Sequence, residues 1–155
     1  MLTFNLEKEP FVLTDVDDMD SLLCLIHDEH FELADLKYSK EDGLVTIPYR
    51  RIFHGRSRRL IRNWFIWKTY EIDVIRAALT IKNVKSLEID DRSKIGTYSF
   101  NTMSYEDEVL RIICCEDCEI RIAASQLEIE SREIEVRGKA QVSFFFFLCE
   151  CSSGK

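Results

Sequence analysis

An all-β domain, mainly antiparallel, built as a sandwich or part-closed barrel with one short N-terminal helix, is the architecture this sequence predicts. Three observations predict it. Apolar residues recur at every second position from about residue 30 onward, turn-forming pairs separate these runs, and 155 residues with 46% hydrophobic content suit one globular core. The chain reads as a single domain, 1–155, with 152–155 as a frayed tail.

The helix comes first. Thr14 to Ile26 carries Val16, Met19, Leu22, Leu23 and Ile26 at the three-and-four spacing of one helical stripe. Thr14 is the expected N-cap, and Asp15, Asp17 and Asp18 lie where the helix dipole favours negative charge. A calcium loop is excluded, because the sixth position from Asp15 is Asp20 rather than Gly and the twelfth is Ile26 rather than Glu.

Strands follow. Phe31 and Leu33 open a period-two pattern that slips by one residue to Ala34, Leu36 and Tyr38, which predicts a bulge. Glu41-Asp42-Gly43 is the next turn and Leu44 to Phe53 the return strand, with Pro48 placing it at an edge or a bulge. Trp64 to Val74 sets Tyr70, Ile72 and Val74 on one face. Ala77, Leu79 and Ile81 form a separate strand, Asn83 turns the chain, and Leu87 with Ile89 continue. Tyr98 and Phe100 mark another strand, and Val109 to Cys115 pairs across Glu116-Asp117 with Glu119 to Ala124. Leu127 and Ile129, then Ile134 and Val136, face the core around a Ser131-Arg132 break. The intervening glutamates (Glu128, Glu130, Glu133, Glu135) form a solvated face. The run VSFFFFLC is apolar on both faces, as in a strand covered on both sides or meeting another chain.

Composition limits the function. The net charge of −7 opposes general affinity for DNA or an anionic membrane, so any anion site must be local. The start MLTFNLEKEP lacks the features of a secretory signal, and the longest apolar stretch is far short of a membrane span, so a cytoplasmic protein without a membrane partner is expected. The six cysteines then read as reduced, buried thiols. Cys115-Glu116-Asp117-Cys118, with Cys149 and Cys151, has the outline of a zinc knuckle but lacks its Gly or Pro, which leaves two thiols facing each other across a hairpin. No metal or other cofactor is expected.

The candidate binding residues are Arg50, Arg51, Arg56, Arg58, Arg59 and Arg62, with Trp64 and Trp67 beside them. Arginine offers bidentate forks to phosphate or carboxylate, and the aromatics offer stacking surfaces. Phe144, Phe145, Phe146 and Phe147 form a candidate interface, including self-association into a homo-oligomer, because an exposed apolar edge invites pairing. No Gly-x-Ser-x-Gly, phosphate loop or Cys-His pair supplies a catalytic residue, so an enzyme is not expected.

HDEHFELADLKYSKEDGLVTI, ALTIKNVKSLEIDD and EVLRIICCEDCEIRIAASQLEIE together resemble small uncharacterised bacterial β-rich proteins, immunity-protein-like families of toxin systems among them. The resemblance covers about half the chain. It implies a compact all-β fold and a role in binding another protein, and it carries over no catalytic residue. The leading expectation is a non-enzymatic, immunity-like protein-binding β domain. A nucleic-acid binder using residues 50–62 is the alternative, and a metal-dependent hydrolase at His27, Asp28, His30 and His54 the third.

Overall fold

Alternating side chains become eleven strands and one α-helix in the computed structural model, which describes residues 5–145, with Phe145 by its backbone alone. The strands are β1 (Phe11–Leu13), β2 (His30–Glu32), β3 (Lys37–Ser39), β4 (Leu44–Arg51), β5 (Arg59–Trp64), β6 (Trp67–Ile81), β7 (Val84–Asp91), β8 (Thr97–Glu106), β9 (Val109–Cys114), β10 (Cys118–Ala124) and β11 (Ile129–Phe145). Helix α1 (Met19–Ile26) lies between β1 and β2. The strand ladders are antiparallel and run in the order β1-β11-β6-β4-β2-β8-β9-β10-β7, with β3 also on β4 and β5 also on β6.

This all-β sheet is open, but its two halves share one core. Val45, Ile47 and Tyr49 of β4 and Ala77, Leu79 and Ile81 of β6 join one cluster with Leu110, Ile112, Ile120 and Ile122 from β9 and β10. Phe31 and Phe100 stack at 4.7 Å between ring centroids, and Tyr49 meets Phe100 edge-on at 5.6 Å. Helix α1 closes the cluster with Met19, Leu22 and Ile26.

The predicted helix is present but begins later. Asp15, rather than Thr14, accepts from the Asp17 N–H at 2.9 Å and starts a 3-10 turn over Val16–Asp18, and Val16 remains exposed. The slip after Phe31 is a 3-10 turn over Leu33–Asp35 and not a bulge. That turn separates β2 from β3. Pro48 stands opposite the resulting gap in an interior strand, where no neighbour on that side needs the N–H that proline lacks.

The expected break between Val74 and Ala77 is absent, because β6 runs unbroken from Trp67 to Ile81. Its facing changes instead. Ile72 is buried, and so are Ile75, Ala77, Leu79 and Ile81, so the inward register shifts by one between Ile72 and Ile75 and turns Val74 outward. β11 makes a matching correction. It is continuous through Ser131-Arg132 and Gly138, with register shifts between Glu133 and Glu135 and between Val136 and Lys139. Ile134 and Val136, expected in the core, are therefore exposed, whereas the Glu133 side chain, expected in solvent, is only 4% exposed.

Gly43 supplies the turn before β4 at φ +63°, where its backbone also accepts from Val84 N–H at 2.9 Å. A Cβ there would lie 3.2 Å from the Val84 carbonyl oxygen. Gly43→Ala is expected to destabilise the domain by about 1–2 kcal/mol through left-handed strain and this approach, measured by urea unfolding.

Candidate functional site

The long β6–β11 ribbon outgrows the core. No residue from Trp67 to Ile75 belongs to the core cluster, nor does any residue of β5 or of the 139–145 end of β11. These three segments form an arm, about 20 Å long for seven extended residues. It is held internally by the β5–β6 and β6–β11 ladders and by a Thr69 Oγ1–Ser143 Oγ hydrogen bond of 2.9 Å.

The arm carries Arg58, Arg59, Arg62, Lys68 and Lys139 against two carboxylates, Glu71 and Asp73, in a chain whose net charge is −7. Arg59 and Lys139 both reach Glu71, at 2.7 and 3.4 Å. The Arg58 guanidinium lies 3.8 Å from the Tyr70 ring centroid and 4.9 Å from that of Phe144, a cation–π contact with each ring. Arg62 and Lys68 flank the tip, opposite Thr69 and Asn63 in the β5–β6 register.

At the tip Trp64 pairs with Trp67 and only Phe65-Ile66 connect them. Phe65 adopts φ +49° and is 96% exposed, and Trp64 is 74% exposed. Two-residue hairpin loops favour Gly or Asn where φ is positive, since a bulky residue there is strained. Leu60 and Ile61 extend the exposed apolar surface along β5.

The arginine segment thus divides. Arg58, Arg59, Arg62, Trp64 and Trp67 belong to the arm. Arg51, which is buried, and Arg56, which is exposed, both engage the buried Glu133 side chain at the foot of the arm, Arg51 Nη1 at 2.6 Å from Oε1. Arg56 also lies 3.7 Å from Glu7, whose backbone N–H donates to Glu133 Oε2 at 2.8 Å. Arg50 alternates with Tyr49 and Arg51 and points to the opposite, outer face, 3.9 Å from Glu32. Of the four candidate phenylalanines, Phe144 packs its ring 5.8 Å from Tyr70 and Phe145 pairs with Trp67 in register. Phe146 and Phe147 lie outside the described residues.

Two titratable groups that the sequence did not single out in these roles secure the chain where the arm leaves the core. Glu29 is 1% exposed and accepts from the backbone N–H groups of Ile52 at 2.9 Å and Phe53 at 3.2 Å. Burial pushes its carboxyl up to about 7, against the lowering effect of those bonds and of Arg51. His54 Nε2–H donates to the Asp73 carbonyl at 2.6 Å, and Nδ1 accepts from Arg56 N–H at 3.1 Å. That arrangement holds the ring neutral, and burial lowers its pKa.

The histidines are dispersed. His27 Nδ1 lies 3.1 Å from its neighbour Asp28, His30 sits in the β4–β2–β8 ladder, and His54 is at the foot of the arm. Among the described residues no group of three or more His, Cys, Asp or Glu side chains is placed to hold a metal ion. The paired thiols of the β9–β10 hairpin are Cys114 and Cys118, both buried, with burial raising both pKa values. Cys115, expected to face Cys118, is exposed instead, its Sγ 4.0 Å from Asp28 Oδ1. One extra residue in the turn moves the pairing by one position. Cys149 and Cys151 fall outside the described residues.

No family model, curated protein or solved structure matches this chain. No described helix is long and apolar enough to cross a membrane.

Proposed function

We propose that this chain is a non-enzymatic protein-binding domain, immunity-like in its mode of action, whose arm docks its aromatic tip into an apolar pocket on an acidic partner. The observation that carries this reading is Phe65, nearly fully exposed and held at positive φ between Trp64 and Trp67. Glycine would form that turn with less strain, so the aromatic ring serves something other than folding. Tryptophan and arginine are the residues that most often dominate binding energy, and the local positive charge steers an acidic surface toward them.

Phe65→Gly separates the two roles. It is expected to leave stability unchanged or raise it by up to about 1 kcal/mol, by relief of left-handed strain. Binding to a partner co-purified from the native host should weaken at least tenfold, measured by titration calorimetry. Equal affinity of the variant and the parent for that partner would overturn the reading.

A second reading rests on the alternation of cations with ring faces along the arm, Arg58 on Tyr70 above all, which suits single-stranded nucleic acid. An oligonucleotide titration distinguishes it. A steep salt dependence lost on Arg58→Ala and Arg62→Ala favours nucleic acid, and no binding at low salt eliminates it.

A further inference from the structure

A cleft of about 420 Å³ opens on the outer face of the sheet, away from the arm tip, lined among others by His30, Arg50, Arg76 and Arg137 and by the carboxylates Glu32 and Asp35. That volume falls in the range of small-molecule sites. Its three arginines come from three neighbouring strands, β4, β6 and β11, and each arrives for a structural reason.

Arg50 and Arg76 are direct register partners in the β4–β6 ladder. Both occupy the outward positions of their strands, between the buried Tyr49 and Arg51 and between the buried Ile75 and Ala77. Like charges directly opposite each other oppose strand pairing. Arg76 is outward only because β6 shifts its facing after Ile72. Arg137 comes from the β11 irregularity between Val136 and Lys139, where Gly138 takes φ +109°. A bulge of this kind re-aims a side chain, here into the cleft.

The protein's own carboxylates only partly answer these charges. Arg50 lies 3.9 Å from Glu32, while Arg76 at 3.6 Å and Arg137 at 3.2 Å share the one Glu135 oxygen. A charge-assisted N–H···O bond is typically 2.7–2.9 Å, so none of the three guanidiniums has its bidentate geometry filled. Pro48 and Val74 supply apolar walls beside them.

We propose that this cleft binds a small oxyanion-bearing ligand, a phosphate monoester or a dicarboxylate, gripped by Arg50, Arg76 and Arg137. Bound anionic charge relieves the cross-strand repulsion, so ligand binding also stabilises the sheet. The site shares Val74 with the base of the arm and is separate from the arm tip.

Titration of the full chain with inorganic phosphate and with succinate, each against chloride at matched ionic strength, tests this. At least one of the two should raise Tm and bind saturably, and the stronger of them identifies phosphoryl or dicarboxylate chemistry. Arg76→Gln removes one of two opposed cations and is expected to fold at least as well as the parent while weakening binding tenfold or more. Arg137→Gln should do likewise, and Arg62→Gln, on the arm, should bind as the parent does. The proposal is overturned if neither anion exceeds chloride, if Arg76→Gln and Arg137→Gln keep parental affinity, or if Arg62→Gln weakens binding as much as they do.

Discussion

Glu133→Gln is expected to destabilise the domain by about 3–5 kcal/mol and to lower Tm by roughly 10 °C or more. The Glu133 and Arg51 side chains are 4% and 9% exposed, and Arg56 joins the same carboxylate oxygen. Removing the negative charge strands the buried Arg51 guanidinium, whose Nε already has no acceptor among the described residues. The loss is a penalty for an unpaired buried charge, not a measure of what the pair adds. A double variant, Arg51→Met with Glu133→Leu, should therefore cost much less than the two single changes summed. Urea unfolding of the four proteins checks both statements. Additive losses would show that the two side chains act independently.

Glu29 makes stability depend on pH in the direction opposite to most carboxylates. Its folded pKa of about 7 lies above the ordinary 4.5, so between these values the folded state holds a proton that the unfolded state has released. Stability is fully present below pH 4.5 and is lost as pH rises through 7, by about 3 kcal/mol for a shift of this size. His54 contributes with the other sign. Its lowered pKa gives stability that is present above the ordinary 6.5 and is lost as pH falls. Glu29→Gln separates the two, because an amide oxygen still accepts from Ile52 and Phe53 but does not titrate. The variant should match the parent near pH 4 and exceed it near pH 8. Parallel stability curves from pH 4 to 8 would remove Glu29 as the cause. Because Ile52 and Phe53 lead from β4 toward the arm, the protection of amides 52–57 against exchange, relative to the unfolded-chain rate at each pH, should fall in the parent as pH rises and not in Glu29→Gln.

How much of this was legible varies by element. The stripe Met19, Leu22 and Ile26 and the alternation in Ile120 and Ile122 read correctly, since their neighbours bury them on the face that local spacing already defines. The facing of β6 did not. Ile72 and Ile75 both point inward, and no local residue announces the one-position shift between them; it exists because β6 leaves the shared core there and enters the arm. Glu133 was misread for a related reason. It sits in an alternating run that elsewhere faces solvent, and its partner Arg51 is 82 residues away in sequence. Glu29 similarly serves backbone groups 23 and 24 residues distant.

The candidate site shows the same division. Composition located the cations and aromatics in 50–67, because charge and stacking surface are properties of residues. It did not distribute them among the buried foot, the arm and the outer face, nor did it find Arg76 and Arg137.

The amino-acid sequence by itself determined an antiparallel β domain with one short helix and a cationic, aromatic segment in an acidic chain. Periodicity and charge are local, and they survive any arrangement of the strands. Tertiary structure decided which arginines are buried, which flank an exposed tip and which converge in a cleft. Those outcomes depend on strand register, and register is set by contacts between segments tens of residues apart.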